Sequence, residues 1–592
     1  MRKQIKNIFL CVMAVSSWAG LAQDKKDENK VDPLGTEVVN VVKAYTPTIS
    51  DAFKVKENPT LDDSITTQKK DVLYKINSVP VASTFTPAKG DAAAVQKEPN
   101  ETLYDSYVSL GLGNFVNAEL DFYTSRALNR DETLDISINH HSTQGGIEEV
   151  QLDDKFFDTR LDVSYKKDNR RDLDWGADIG YQNQLYNWYG LYENSYDQAT
   201  LNGIDESQTY HSAYISANAS IEDSYFEKGK VTFRRTWDAF GSSENHFLLQ
   251  PSFQIPIADE YIQTNVRLDY LGGGFDQGFD DNFEIKHNYL LFGVNPNLQI
   301  LRDDLTVNLG ASLYYAGSFS REFGGINAGS DTDFFVYPKV TASYRLVDEY
   351  VIAYAGIEGD LIQNTYYNLV QENTFVSPSL LIVPTDQMYD GYFGLKGKFS
   401  TNVGYNIRGS YKAENNKPLF KQNRSLIPTF ASEEFQKPST FGVVYDDVTT
   451  LSIFGELNFD INRSFKLKLQ GEYFNYDTEV ETEPWNLPEL TFSVFGDYQI
   501  DEHWYAGAHV FYVGERQDEF LSPDNGIDPL VVTSVTLDSF IDINLKAGYR
   551  LNEQLSIYAK VNNIASQNYQ RWANYPVQGL QAMAGLTYKF DF

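Results

Sequence analysis

From Leu103 to the C-terminus, apolar and polar residues alternate with a period of two. Leu134, Ile136 and Ile138 are interleaved with Asp135, Ser137 and Asn139, and Leu161, Val163 and Tyr165 with Arg160, Asp162, Ser164 and Lys166. Phe465, Leu467, Leu469 and Tyr473 face away from Lys466, Lys468, Gln470 and Glu472. Neighbouring side chains on a strand point to opposite faces, so each segment carries one apolar and one polar face. About 22 such segments can be counted, each of roughly ten residues, the length that crosses a bilayer at a tilt. The first begins near Leu103 and the last near Leu580.

The connections alternate as well. Every second one is short, and six share a pattern of two apolar residues flanking three mostly polar ones. Ile257-Ala258-Asp259-Glu260-Tyr261, Leu301-Arg302-Asp303-Asp304-Leu305 and Leu346-Val347-Asp348-Glu349-Tyr350 are three of them. Ile461-Asn462-Arg463-Ser464-Phe465, Ile500-Asp501-Glu502-His503-Trp504 and Leu551-Asn552-Glu553-Gln554-Leu555 are the others. Each places two apolar residues at adjacent strand ends, facing one lipid interface. The intervening connections are mostly long: 142–156, 184–208, 271–285, 317–335, 362–386, 413–449, 514–539 and 564–579. A soluble sandwich has no reason to sort its loops by parity. The pattern predicts an all-β fold, a transmembrane antiparallel β-barrel over 103–592, with tight periplasmic turns at one rim and extracellular loops at the other. An even strand count puts both termini at the short-turn rim, in the periplasm.

Residues 23–102 read differently. Pro33, Pro47, Pro59, Pro80, Pro87 and Pro99 interrupt any long helix. The charged tract from Gln23 to Lys30 reads as linker, and the region as a mostly extended or disordered periplasmic arm. Ahead of it, Arg2, Lys3 and Lys6 precede an apolar run from Ile8 to Ala19, and Gly20-Leu21-Ala22 supplies a cleavage site, so residues 1–22 read as an export signal. Cys11, the chain's single cysteine, falls inside that signal, so the exported chain has no disulfide framework.

Charge narrows the function. The 82 Asp+Glu against 49 Lys+Arg give a net charge of −33, which repels nucleic-acid phosphate. No apolar run of helix-spanning length follows residue 22. Catalytic chemistry has little support. His140 and His141 are expected near the extracellular end of the third strand, with Glu148 and Glu149 in the next loop, but adjacent strand residues point to opposite faces and cannot form a dyad. Asp280-Asp281 and Asp446-Asp447 offer oxygen ligands without EF-hand spacing, so they read as solvated acidic loops and no metal is assigned. No helix follows Gly272-Gly273-Gly274, so the run is a bend rather than a phosphate cradle. The chain is read as a non-enzyme without a cofactor.

The C-terminal residues carry a family likeness. Val561-Asn562-Asn563-Ile564-Ala565, then Asn568-Tyr569, Tyr575-Pro576 and Gly585-Leu586-Thr587-Tyr588-Lys589-Phe590, resemble the last two strands of TonB-dependent receptors, and the strand count agrees with that family's barrel. The family's Gly-rich plug has no counterpart: residues 23–102 are too short and hold only Gly35 and Gly90. The Pro-Gly-Arg that precedes the family's last strand stands here as Pro576-Val577-Gln578-Gly579. The resemblance therefore implies a plug-less receptor barrel of the kind associated with Bacteroidota outer membranes, transporting a solute with periplasmic or outer-membrane protein partners. The alternative is a non-transporting barrel subunit of an assembly or export complex. Thr36, Glu37, Val38, Val39, Val41 and Val42 resemble a TonB box, a segment that adds a strand to a periplasmic partner. Tyr588, Phe590 and Phe592 form a terminal aromatic edge resembling the signal read by barrel-assembly machinery, and the same strand must close on the first to leave no open edge in lipid. If the lumen is filled, the arm and the 413–449 loop are the expected fillers.

Overall fold

A computed structural model describes residues 102–592, apart from 170–172, 192–195, 258–259, 281–282, 324–325, 328–329, 427–430, 463 and 522–531. The expected signal, nearly all of the arm and the Thr36–Val42 segment lie outside the described residues.

Twenty-two strands form one closed antiparallel barrel. In chain order they are β1 Ser106–Gly113, β2 Ala118–Asn129, β3 Glu132–Thr143, β4 Phe156–Lys167, β5 Asp174–Asn187, β6 Ser207–Ser220, β7 Phe226–Asp238 and β8 Ser243–Ile257. Then come β9 Glu260–Phe275, β10 Ile285–Arg302, β11 Leu305–Phe323, β12 Asp331–Val347, β13 Val351–Ile362, β14 Thr385–Ser400 and β15 Val403–Gln422. The remainder are β16 Phe441–Asn462, β17 Phe465–Thr478, β18 Leu490–Gln499, β19 Trp504–Val513, β20 Phe540–Arg550, β21 Leu555–Asn562 and β22 Gln581–Phe590. Each pairs with its chain neighbour, and β22 closes on β1 with Ser106 opposite Phe590 and Val108 opposite Tyr588. Phe592 lies past the strand end, edge-on to Phe590 at 5.0 Å.

The expected length of roughly ten residues holds for the first and last strands but not for the middle. There β10, β11, β15 and β16 run to 18, 19, 20 and 22 residues. β16 begins at Phe441, well before the expected start near Thr450. Ten residues suffice for lipid, so the surplus rises past the bilayer on the long-loop side.

The outward face is apolar and exposed. Ile179, Ile215, Phe393, Ile407 and Ile453 each show more than half of their surface, in positions that alternate with inward polar residues. Water would not tolerate a continuous belt of this kind, whereas lipid would cover it. Rings gather toward the short-turn rim, where Tyr165 meets Trp175 at 5.2 Å, Phe465 meets Tyr498 at 5.7 Å and Trp504 meets Tyr549 at 4.9 Å. The short turns stand on local hydrogen bonds. Asp501 accepts from the His503 and Trp504 amides, both at 2.7 Å, and Asn552 from those of Gln554 and Leu555. Asp303 and Asp348 adopt positive φ in their turns, a conformation that short polar side chains tolerate.

The closing seam is fastened on its inner face. Lys560 of β21 reaches across β22 and β1 to Glu119 of β2 at 2.5 Å, and Ser109 bonds Thr587 at 2.9 Å. Glycines clear the space. A Cβ on Gly585 would lie 2.3 Å from the Tyr558 ring, and one on Gly111 would lie 2.7 Å from the Met583 sulfur.

Candidate functional site

The long loops fold inward over the lumen. Buried residues from around the rim meet in one apolar cluster: Leu152, Tyr189, Leu271, Ile285, Phe420, Phe441, Leu537, Trp572 and Tyr575 join Tyr366, Leu369, Val376 and Ile382 of the connection between β13 and β14. That connection, residues 363–384, is the central piece. It opens with a short helix, α1, Tyr366–Glu372, whose N-cap Thr365 accepts from the Asn368 amide.

Inward side chains of β4 to β8 hold α1 in place. Glu244 accepts from the Tyr366 amide at 2.7 Å, and Asp238 from the Tyr366 hydroxyl at 2.8 Å. Tyr210 donates to the Thr374 carbonyl at 2.9 Å, and Gln371 donates to Gln184 at 2.7 Å. The Arg234 guanidinium sits over the Tyr367 ring, 4.0 Å from its centre. On the other side, Phe375 stacks on Tyr575 at 3.7 Å, and the Ser377 and Phe441 amides exchange bonds with the Phe441 and Phe375 carbonyls. Gly190 allows the close approach of Tyr575, since a Cβ there would lie 2.4 Å from its ring. Burial holds the Tyr366 and Tyr575 phenols well above their ordinary pKa.

A second joint lies at the hairpin of Arg516–Leu521 and Val532–Leu537. Asp518 is fully buried there, accepting on Oδ1 from the Gln422 and Glu519 amides, and burial pushes its carboxyl up to about 7. Arg516 donates to the Gln570 and Arg571 carbonyls, tying this hairpin to the last loop.

Beneath the cap the lumen wall is polar. A cavity of about 480 Å³ is lined by Glu119, Asp121, Asn139, His141, Asp158, Arg160, Gln182 and Lys560, with Gln371 of α1 at its edge. An adjoining cavity of about 370 Å³ shares Phe156, Asp158, Tyr186 and Gln371 and runs up to Trp572 and Tyr575.

The residues singled out in the sequence sit as follows. His140 and His141 occupy the loop end of β3 on opposite faces, His140 against Thr159 at 2.7 Å and His141 against Asn117 at 3.1 Å. Asp280 pairs with Arg424, and Asp446 accepts from the Val480 and Glu481 amides, so both serve loop structure. The glycine run 272–274 lies within β9, not in a bend, where a Cβ on Gly273 would meet the Ser243 carbonyl at 2.6 Å. The 413–449 loop is a smaller filler than expected, because its flanks are the extended ends of β15 and β16. The 363–384 connection is the larger one. Its central segment, Val370 to Ile382, shows no strict alternation, and that break in period was the available signal.

The family model for the TonB-dependent receptor-like β-barrel matches residues 455–564, from within β16 to just past β21. Solved structures share the barrel. The pyoverdine outer membrane receptor FpvA of Pseudomonas aeruginosa PAO1 is 13% identical, with 83% of this chain and 79% of that one covered and a TM-score of 0.58. The ferric-catecholate import receptor Fiu of E. coli K12 is 11% identical over 83% and 82%, with a TM-score of 0.57. The copper transporter OprC is 13% identical over 83% and 84%, with a TM-score of 0.59. The fold is that of a TonB-dependent receptor barrel. No curated protein sequence matches the chain. The matched family segment overlaps the C-terminal motif only at Val561 to Ile564, so the two likenesses are nearly independent.

Proposed function

We propose that this chain is an outer-membrane transport barrel of a Gram-negative bacterium. It resembles a TonB-dependent receptor without a plug domain, and residues 363–384 act as its gate. The observation that supports this most is the pairing of an apolar outer belt with a polar lumen wall under a cap built from surface loops. A permanently open barrel of this width would breach the membrane, so a plug-less form needs its lumen filled, and the inward-folded 363–384 connection can fill it. In this reading the export signal is removed, both termini face the periplasm, and the arm binds periplasmic or outer-membrane partners. Thr36 to Val42 is the segment offered to a partner sheet edge. Tyr588, Phe590 and Phe592 form the edge read by the barrel-assembly machinery during insertion into lipid.

The second reading is a non-transporting barrel subunit of an assembly or export complex. The depth of apolar packing in the cap favours it, because a gate must part again. Proteoliposomes carrying the full-length protein, assayed for release of a small fluorescent solute with and without partners that co-purify after gentle solubilisation, separate the two. Partner-dependent release supports transport. A stoichiometric complex with no release under any condition sinks it.

A further inference from the structure

The wall of the 480 Å³ cavity is charged in a way the barrel itself does not need. Glu119 has its partner in Lys560. Asp121, Asp158 and Arg160 have none: among the described residues they meet only neutral groups. Asp121 accepts from the Asn139 amide at 2.8 Å, and Asp158 from the Gln182 amide at 3.0 Å and the Gln184 amide at 3.2 Å. Arg160 donates to Gln182 at 3.0 Å and to the Tyr367 hydroxyl at 3.1 Å. Carboxylate and guanidinium stand two residues apart on β4, on one face, yet each is held by amides rather than by the other. Side-chain amides thus fix the orientation of both charges without a direct ion pair between them, which is how a site for a charged ligand is preorganised. Beside them Phe156 and Tyr186 stack at 5.5 Å with planes 10° apart, giving an apolar platform.

We infer that this cavity binds a short peptide with free termini. Its ammonium would sit at Asp158, its carboxylate at Arg160, and an apolar side chain on Phe156 and Tyr186. Charges of both signs on one wall select a zwitterion over a simple anion or cation, and a neutral sugar would leave them unmatched. Alternate residues on a strand are about 7 Å apart. A single amino acid carries both charges on one carbon, whereas a dipeptide spans about 7 Å. The volume falls in the range of small-ligand sites. The inference deepens the transport reading by naming its substrate class, but binding is measurable without transport.

The test is calorimetric titration of the full-length protein in detergent with the dipeptide Phe-Ala and its blocked forms. The free dipeptide should bind roughly tenfold or more tightly than either singly blocked form, with the doubly blocked form weaker still. Equal affinity for the doubly blocked form, or no heat with the free dipeptide up to about 10 mM, overturns the inference. Asp158→Asn should weaken the forms with a free ammonium and spare acetyl-Phe-Ala, while Arg160→Gln should do the reverse. Heat-modifiable electrophoretic migration checks that each variant is folded, and the ligand series on the unaltered protein decides the matter if neither folds. Binding without passage in proteoliposomes would keep this site and reject transport, and passage without binding would do the opposite.

Discussion

The two rims of the barrel are built by different physics. At the short-turn rim each reversal is local. Ile500 and Trp504 close one turn around Asp501, whose carboxylate accepts from the His503 and Trp504 amides. At the loop rim little is local. Tyr366 is held by Glu244, more than a hundred residues away, and Tyr575 donates to the Ser439 carbonyl at 2.7 Å. The first rim needs only a turn residue and a lipid interface. The second must bury a core of its own, so it can be lost while the wall remains.

Replacing residues 366–382 by a short Gly-Ser linker should break that comparison most severely. The wall should still form, with heat-modifiable migration, while solute release from proteoliposomes rises from near background to that of an open pore. An unchanged release rate would show that the cap is not the barrier.

Phe441→Ala should have the next largest effect. Removing this fully buried ring costs about 3–5 kcal/mol, borne by the cap alone. Hydrogen exchange at the Ser377 amide, which bonds the Phe441 carbonyl, should accelerate while exchange within β2 to β5 stays slow.

The hairpin joint should respond to pH. Asp518 has its carboxyl raised by burial, so the protonated form favours docking. That contribution is complete below the ordinary carboxylate range and is lost as pH rises through about 7. Proteolytic nicking of the 516–537 hairpin should therefore increase between pH 5.5 and pH 8.5, and Asp518→Asn should flatten the profile. A hairpin equally resistant at both pH values would contradict this.

The smallest effect belongs to the seam. The Lys560–Glu119 pair is partly exposed, and its loss by Lys560→Met should cost no more than about 1 kcal/mol. The midpoint of heat-modified migration should barely move, because main-chain pairing of β22 with β1 carries closure.

This division also explains what could be read from residues alone. All 22 strands were legible, since alternation is a local property and each strand had to place one face toward lipid. The six apolar-flanked turns were legible for the same reason. The cap was not, because Val376, Ile382 and Phe441 look like ordinary loop or strand residues until β15, β16 and the last loop converge on them. The peptide-sized cavity was hidden more deeply. Asp158 and Arg160 read as two polar positions on an alternating strand, and only the register with β5 shows that amides, not each other, hold them.

The central claim is that surface loops shut the lumen from outside, and cysteine labelling on intact cells tests it most directly. In a chain with Cys11 replaced, a cysteine at Val480, an exposed loop position, is compared with one at Asn139 on the lumen wall, using a membrane-impermeant maleimide. The account predicts rapid labelling at Val480 and protection at Asn139, with that protection abolished when residues 366–382 are replaced. Equal labelling of the two positions in the intact protein would contradict it.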